Sequence, residues 1–365
     1  MEFYMPTHLH TGKGCVAAHG KDLRALGSVC AIITDQGAAM ASGALEDAQA
    51  TLAQCGIATF VWDGVTPNPP VLACIEAGRQ AAEDGAQFVI GIGGGSSLDA
   101  AKAVAVFAAN PTLNEEGFYA LKWDRDPLPI VLVGTTAGTG SEVTKVSVLT
   151  DAKARKHSIH DDRLYATLAY GDSTYTHTCP TAVTLSCGVD VVAHATESYF
   201  SRKADEVSRA FATRAIRLAY EPLTRAAAGD ALDEELRRRL YEASILGGLA
   251  INTTGTCFPH NVGYYLTENY GVPHGFASAV FLPRMLECAD GYDIAYADAF
   301  YRETGIERDS FVGLVDACLP VFKVAMTEEE IVSALPRWED NGSVKNTRAD
   351  VSVDTIHRIL SDMFC

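Results

Sequence analysis

The sequence predicts an α/β dinucleotide-binding domain followed by an all-helical domain. In the first half, short apolar segments such as residues 29–34 alternate with segments of helical spacing such as residues 43–55. Apolar runs of this length are typical of strands buried in a parallel sheet, and the helices between them provide the crossover connections. From about Thr181 onward strand-like runs thin out, and long stretches carry helical spacing, including residues 204–225 and 233–251.

The remaining elements of the first half follow the same alternation. Strands are predicted at residues 57–62, 88–92 and 129–134, and helices at 71–84 and 98–110. The chain has 365 residues, which is long for one simple core and suits two domains. We place the boundary between residues 1–178, the α/β domain, and residues 179–365, the helical domain.

Composition excludes several classes of protein. The formal net charge of −17 repels phosphate backbones, so nucleic acid is not an expected partner. The ten cysteines contain no C-x-x-C pair, which disfavours a disulfide framework and a structural zinc site. No apolar run approaches the ~20 residues that a membrane span needs. The first ten residues lack the order of a signal peptide, so a cytoplasmic location is expected.

A glycine-rich segment follows the predicted strand at residues 88–92. It reads Gly93-Gly94-Gly95-Ser96, with Asp99 further along the next helix. Glycines let a backbone approach a pyrophosphate, and the N–H groups that open a helix supply donors and a positive dipole end. The alternative is a tight strand-to-helix turn without a ligand, because the spacing differs from the common G-x-G-x-x-G fingerprint.

A second small-residue segment follows the predicted strand at residues 129–134. Its candidate cofactor contacts are Thr135, Thr136, Thr139 and Ser141. Loops at the carboxyl ends of parallel strands bind cofactors in such sheets, and small hydroxyl residues can hydrogen-bond to them.

Asp35 ends the strand at residues 29–34 and bears on the choice of cofactor. A carboxylate there would accept hydrogen bonds from the hydroxyls of an adenosine ribose and would repel a 2′-phosphate. NAD is therefore favoured over NADP. An ordinary Asp-x-Gly turn is the alternative interpretation.

The second half carries a candidate metal site. Asp190 and His194 stand four residues apart, which places both side chains on one face of a helix. His260 and His274 lie in apolar, glycine-rich surroundings, and Pro273 indicates that His274 opens a new element. One carboxylate and three imidazoles suit Fe(II) or Zn(II). The alternatives are an Asp–His hydrogen bond and histidines buried in the core.

These motifs together resemble those of the iron-containing (group III) alcohol dehydrogenases, nearly end to end. Residues 93–102 are similar to that family's GGGSxxDxAK loop, and residues 135–144 (TTAGTGSEVT) to its TTAGTxSEVT signature. Residues 188–199 (GVDVVAHATESY) are similar to GxDALxHAxExY. His260 and His274 are fourteen positions apart, as the last two metal ligands of the family are.

The resemblance implies a fold shared with dehydroquinate synthase-like proteins, with an NAD-binding domain and a helical metal domain. It implies that Asp190, His194, His260 and His274 hold the metal, with Fe(II) favoured and Zn(II) as the alternative. It further implies that Asp35 contacts the adenosine ribose, that Lys156 lies near the cofactor, and that the chain forms homodimers or larger homo-oligomers. Many relatives carry a histidine near the nicotinamide where this chain has Tyr264. A tyrosine can relay a proton, but with an ordinary pKa near 10 it is a poorer base.

The predicted function is a metal-dependent, NAD(P)-linked alcohol dehydrogenase or aldehyde reductase acting on small primary alcohols or short aldehydes. His260, His274 and Tyr264 are the candidate catalytic residues, and Phe258, Tyr264 and Tyr265 favour a small, weakly polar substrate. The expected chemistry is hydride transfer to or from nicotinamide, with the metal as a Lewis acid. The alternatives are a zinc polyol (glycerol-type) dehydrogenase, a synthase on the same fold, and a non-catalytic relative.

Overall fold

The computed structural model describes residues 3–365, and its first half is built around a parallel sheet. Eight strands are present among these residues: β1 (His8–Thr11), β2 (Val29–Thr34), β3 (Ala58–Trp62), β4 (Phe88–Gly93), β5 (Ile130–Gly134), β6 (Val146–Thr150), β7 (Lys156–His160) and β8 (Leu168–Gly171). Six of them form one sheet in the order β1-β8-β5-β4-β2-β3, all parallel, while β6 and β7 form an antiparallel pair.

Helices cover both faces of this sheet. They are α1 (Cys15–Ala18), α2 (Ala38–Ala41), α3 (Ala44–Gln54), α4 (Val71–Glu83), α5 (Gly95–Ala109) and α6 (Glu115–Tyr119). Side chains alternate across the strands, so Ala31 and Ile33 pack in the core that includes α4 and α5, while Cys30 and Ile32 pack with α3. Burial on both faces explains why the strands read as continuous apolar runs.

From Thr181 on, the described residues form helices and connecting segments without a strand. The helices are α7 (Thr181–Tyr199), α8 (Glu206–Ala227), α9 (Glu234–Thr254), α10 (Phe258–Tyr270), α11 (His274–Ala279), α12 (Leu282–Tyr292), α13 (Ile294–Thr304), α14 (Arg308–Cys318), α15 (Glu328–Ala334), α16 (Gly342–Asn346) and α17 (Val353–Phe364). This architecture confirms the predicted fold class, an α/β half followed by an all-helical half.

The chain divides into two compact units. One consists of Tyr4–Pro180 and Asp233–Tyr241, and the other is built mainly from Thr181–Leu232 and Glu242–Cys365. The first turns of α9 thus belong to the α/β unit, which helical spacing alone does not indicate. The proposed domain boundary at residue 178 stays a prediction. Among the described residues, no helix has the length and apolar character needed to cross a bilayer.

Candidate functional site

The strand order creates a ligand-binding position between β2 and β4. These two strands are neighbours, with Thr34 opposite Ile92 at their carboxyl ends. The chain leaves β2 toward β3 on one side and leaves β4 toward β5 on the other, which makes this the topological switch point of the sheet. Asp35 follows β2 and Gly94 follows β4, so two predicted cofactor residues flank the switch point.

The glycine segment after β4 leaves the start of α5 open. Gly93 has φ of +146°, a conformation that an L side chain rarely adopts, and a Cβ there would lie 2.4 Å from Oγ of Ser97. Gly94 precedes α5 without a side-chain cap, and the first turn has no acidic residue. The N–H groups at this helix start are therefore available to an anion such as a pyrophosphate.

The two predicted cofactor loops lie against one another. A Cβ on Gly95 would be 2.4 Å from Cγ2 of Thr139, and one on Gly94 would be 3.3 Å from the side chain of Thr136. Oγ1 of Thr135 is buried and has no hydrogen-bond partner. Because buried hydroxyls are normally paired, an orphaned hydroxyl beside an open helix start fits a site that receives a polar ligand.

Asp99 and Ser141 are engaged within the protein. Oγ of Ser141 donates to Oδ1 of Asp99 at 2.6 Å, and the N–H of Val148 donates to Oδ2 at 2.9 Å. Nζ of the fully buried Lys102 donates to the carbonyl and hydroxyl oxygens of Ser141 at 2.8 and 2.7 Å. Burial lowers the pKa of Lys102 to about 8, against the opposing charges of Asp99 and Glu142. This network anchors α5 to the second loop, and contact of Asp99 or Ser141 with a cofactor stays a prediction.

The carboxylate of Asp35 has one oxygen engaged and the other directed at the glycine segment. Oδ1 accepts hydrogen bonds from the N–H groups of Gly37 at 2.9 Å and Ala38 at 2.5 Å. Oδ2 lies only 3.1 Å from where a Cβ on Gly93 would be. The carboxylate is thus held at the switch point, as reading a ribose at the end of β2 would require.

Lys156 is connected to the glycine segment through a single residue. Its Nζ donates to Oδ1 of Asn68 at 3.0 Å, and the N–H of Asn68 donates to Oγ of Ser96 at 3.3 Å. The structure therefore brings Lys156 and Ser96 into one hydrogen-bonded chain.

In the helical unit, α7, α10 and α11 bring the predicted metal ligands together. One ligand atom from each of Asp190, His260 and His274 lies within 4.8 Å of the others. Nε2 of His194 is 3.9 Å from Oδ2 of Asp190, and its ring stacks on the ring of His260 with centroids 4.6 Å apart. All four side chains thus meet in one cluster.

Glycine allows α11 to approach α7 closely. A Cβ on Gly275 would lie 1.9 Å from the carbonyl oxygen of Ser186, which no side chain could accommodate. His274 immediately precedes this glycine and opens α11 after Pro273, as predicted. The close backbone contact explains how His274 reaches Asp190. Nε2 of His274 is 4.0 Å from Oδ1 of Asp190.

The donor atoms of the cluster fit a cation. Oδ1 of Asp190 and Nε2 of His260 are 3.3 Å apart, both buried, and neither has a hydrogen-bond partner. Leaving a carboxylate oxygen and an imidazole nitrogen buried without partners is costly. A carboxylate oxygen and imidazole nitrogens are ordinary ligands of Fe(II) and Zn(II), so a bound ion would satisfy them.

Glu197 belongs to the candidate site, although the sequence analysis quotes its motif without assigning it a role. It lies on α7, seven residues after Asp190 and three after His194, and its side chain is fully buried. Its carboxylate accepts hydrogen bonds from Nδ1 of His260 and, at 2.7 Å, from the N–H of Cys257. The bond to Nδ1 fixes the tautomer that leaves Nε2 of His260 available to a metal.

The charges in the cluster shift its titrating groups. Burial alone would raise the pKa of Asp190, but the imidazoles of His194, His274 and His260 lower it. Burial lowers the pKa of His260, whereas the carboxylates of Glu197 and Asp190 raise it, to about 10. The carboxylates of Asp190 and Glu197 therefore favour a positive charge at the position of the His260 ring.

Two of the three aromatic residues near His260 are buried. Phe258 is fully buried, and Tyr265 is 8% exposed with its ring against Trp338 and its hydroxyl donating to Glu330 at 3.3 Å. Both side chains pack in the core of the helical unit, and the expectation that they favour a small, weakly polar substrate stays a prediction. Tyr264 is half-buried, and its ring centroid is 5.5 Å from that of His274.

Comparisons with known proteins cover both halves of the chain. A family model described as iron-containing alcohol dehydrogenase matches residues 6–173, and one for the C-terminal part of the Fe-containing alcohol dehydrogenase family matches residues 184–335. Long-chain-alcohol dehydrogenase 1 of Geobacillus thermodenitrificans is 34% identical over 77% of this chain and 71% of its own. The NAD-dependent methanol dehydrogenase of Bacillus methanolicus is 28% identical over 96% of this chain and 89% of its own. A crystal structure of an iron-containing alcohol dehydrogenase from Thermotoga maritima superposes with a TM-score of 0.91 at 32% identity, covering 99% of this chain and 98% of that one.

Proposed function

Since the chain belongs to the iron-containing alcohol dehydrogenase family, we propose that Asp190, His194, His260 and His274 hold the metal of an NAD-linked enzyme that interconverts small primary alcohols and aldehydes. The family confirms the predicted class, a metal-dependent NAD-linked alcohol dehydrogenase. The observation that carries the assignment of the site is the pair of buried, unpartnered atoms, Oδ1 of Asp190 and Nε2 of His260, at 3.3 Å.

Each group of residues has one task in this proposal. Residues 1–178 bind NAD, with Gly93, Gly94, Gly95 and Ser96 at its phosphates and Asp35 at its ribose. Residues 179–365 hold the metal, with Fe(II) favoured over Zn(II) on the family's name. A metal in this cluster would supply Lewis-acid polarisation of the substrate oxygen, and NAD would accept or donate the hydride.

The protein's own residues contribute position and proton handling. Glu197 holds His260 in the required tautomer through Nδ1. Tyr264, half-buried and one turn after His260 on α10, is proposed to pass the proton of the substrate hydroxyl toward solvent. A Tyr264→Phe variant would keep its metal and lose turnover, since its ring is retained while its hydroxyl is removed.

The proposal of a small substrate rests on the name of a relative and not on residues that line a pocket. A relative that covers 96% of this chain is named for methanol, whereas another is named for long-chain alcohols. We propose a short primary alcohol, or its aldehyde, as the substrate. We also propose that the enzyme acts in the cytoplasm as a homodimer or larger homo-oligomer. None of its ten cysteines forms a disulfide, which supports a reducing compartment.

The test is an assay of reduced-nicotinamide oxidation with aldehydes of increasing chain length. Protein purified without oxygen is stripped of metal and reconstituted with Fe(II) or Zn(II), and each sample is given NADH or NADPH. We expect metal-dependent turnover with NADH, faster with short aldehydes and with Fe(II). In the reverse assay, reduction of NAD by polyols but not by simple alcohols, restricted to Zn(II)-loaded protein, would favour the glycerol-type alternative. Absence of turnover in folded, metal-loaded protein with either cofactor would favour a non-catalytic relative.

A further inference from the structure

A second cluster of imidazoles and a carboxylate lies in the α/β unit, on the edge strand β1. His8 and His10 alternate along this strand, so their side chains share one face, and their ring centroids are 4.2 Å apart. Among the described residues, β1 pairs with β8 alone, and His10 stands opposite Tyr170. The ring of Tyr170 stacks on His10 at 5.5 Å and fixes the plane of that imidazole.

A turn of 3₁₀ helix completes the cluster. The N–H of Asp22 donates to the carbonyl oxygen of His19 at 3.0 Å, which places these two side chains three residues apart on one side of the segment Gly20–Ala25. The ring of His19 stacks on His10 with centroids 3.7 Å apart. Oδ2 of Asp22 lies 3.3 Å from Nε2 of His10 and 4.0 Å from Nδ1 of His19.

The ligand atoms converge without satisfying one another. One ligand atom from each of His8, His10 and Asp22 lies within 4.8 Å of the others. The side chain of His10 is only 9% exposed, and its Nε2 is buried and makes no hydrogen bond, although Asp22 is adjacent. A buried imidazole nitrogen that faces a carboxylate oxygen without bonding to it is the arrangement that a shared cation would satisfy.

We propose that His8, His10 and Asp22, with His19 alongside, form a second divalent-metal site of Zn(II) type. Imidazole nitrogens and one carboxylate oxygen are ligands that Zn(II) accepts in tetrahedral sites. His8 is exposed, so an ion can enter from solvent and then join β1 to the segment Gly20–Ala25. The site is separate from the proposed catalytic metal, because its ligands lie on other elements, and its role is to stabilise the N-terminal edge of the sheet.

The test counts metal ions in the full-length protein, prepared without a histidine tag. Equilibrium dialysis against Zn(II), followed by elemental analysis, is expected to give two equivalents per chain for the wild type. Each of His8→Gln and His10→Gln should bind one equivalent, because each removes a ligand from this cluster. His177→Gln, which changes an exposed histidine elsewhere, should still bind two. Because His8 is exposed, its replacement leaves the fold intact even if that of His10 does not.

A second measurement separates this site from the catalytic one. In the His260→Ala background, added Zn(II) should raise the melting temperature by about 2 °C or more, and this rise should vanish when His8→Gln is added. NADH-linked turnover of the single His8→Gln variant should remain within about twofold of wild type. Two equivalents in His8→Gln and His10→Gln, or one in the wild type that only His260→Ala removes, would overturn the proposal.

Discussion

Nδ1 of His260 donates a hydrogen bond to the buried carboxylate of Glu197, while Nε2 of the same ring faces Oδ1 of Asp190 at 3.3 Å. The His260 ring thus lies between two carboxylates. Glu197 orients the ring, and Asp190 is proposed to bind the same metal ion as the ring. Because a histidine can present only one lone pair in its neutral form, the contact with Glu197 decides which nitrogen the metal can use.

Replacing Glu197 with glutamine should weaken metal binding. An amide group there cannot accept from both Nδ1 of His260 and the N–H of Cys257, so the ring loses its fixed orientation. We expect metal affinity and turnover to fall about 10- to 100-fold, measured by Fe(II) titration and NADH oxidation. Glu287→Gln, an exposed change in the same unit, is the control. Wild-type affinity in Glu197→Gln would show that the contact does not orient a ligand.

Glu197 also shows where sequence reasoning stops. The spacing of Asp190 and His194 predicts that they share a helix face, and Pro273 predicts that a new element begins at His274. The glutamate of the motif in residues 188–199 is Glu197, but its spacing from His194 does not say what it does, and its burial against His260 shows the contact that it makes. Phe258 and Tyr265, from which the sequence analysis infers a small substrate, are buried, and apolar character alone does not distinguish a core residue from one that lines a pocket.

Sequence patterns predict the elements that are long and apolar. They do not predict short elements of mixed composition. β2 and β4 are buried on both faces and were read from their hydrophobic runs. β1 has four residues, two of them histidines, and its sequence carries no strand pattern. α5 begins at Gly95 instead of residue 98, because glycine is a weak helix former and its place in the first turn comes from the tertiary structure.

Replacing Asp35 with asparagine should relax the preference for NAD. The amide oxygen keeps an acceptor for the N–H groups of Gly37 and Ala38, while the negative charge that would repel a 2′-phosphate is lost. We expect the ratio of kcat/KM for NADH over NADPH to fall about tenfold or more, equivalent to about 1.4 kcal/mol. Stability should change little, and an unaltered ratio would mean that Asp35 does not read the ribose.

An alanine at Gly93 should damage both stability and cofactor binding. The left-handed φ of +146° strains any L residue, and the new Cβ would lie 2.4 Å from Oγ of Ser97. We expect a loss of about 1–3 kcal/mol in the free energy of unfolding and a raised KM for NADH. Gly313→Ala is the matched control, since a Cβ there has no neighbour within 4 Å and a helix interior favours alanine. Equal behaviour of the two variants would refute the close packing at Gly93.

The buried thiol of Cys318 should make the protein less stable in alkali. Burial raises its pKa from 9.0 to about 12, so the folded state keeps a proton that the unfolded state releases. The stabilisation of the folded state by the protonated Cys318 thiol is complete below about pH 9. It is lost as the pH rises toward 12, by up to about 1.4 kcal/mol per pH unit. Denaturant unfolding under reducing conditions at pH 8 and 10.5 should therefore show a smaller decrease for Cys318→Ala than for wild type. Cys365→Ala, at an exposed thiol, should retain the wild-type decrease.

The central claim is that one metal held by Asp190 and three histidines is required for NAD-linked turnover. The most direct measurement determines iron per chain and NADH oxidation with a short aldehyde in the same sample, for wild type, His260→Ala and the exposed-site control His177→Gln. We predict that His260→Ala loses its catalytic iron and at least about 100-fold in turnover while remaining folded, and that His177→Gln matches wild type. Metal-dependent turnover at the wild-type rate in His260→Ala would contradict the account.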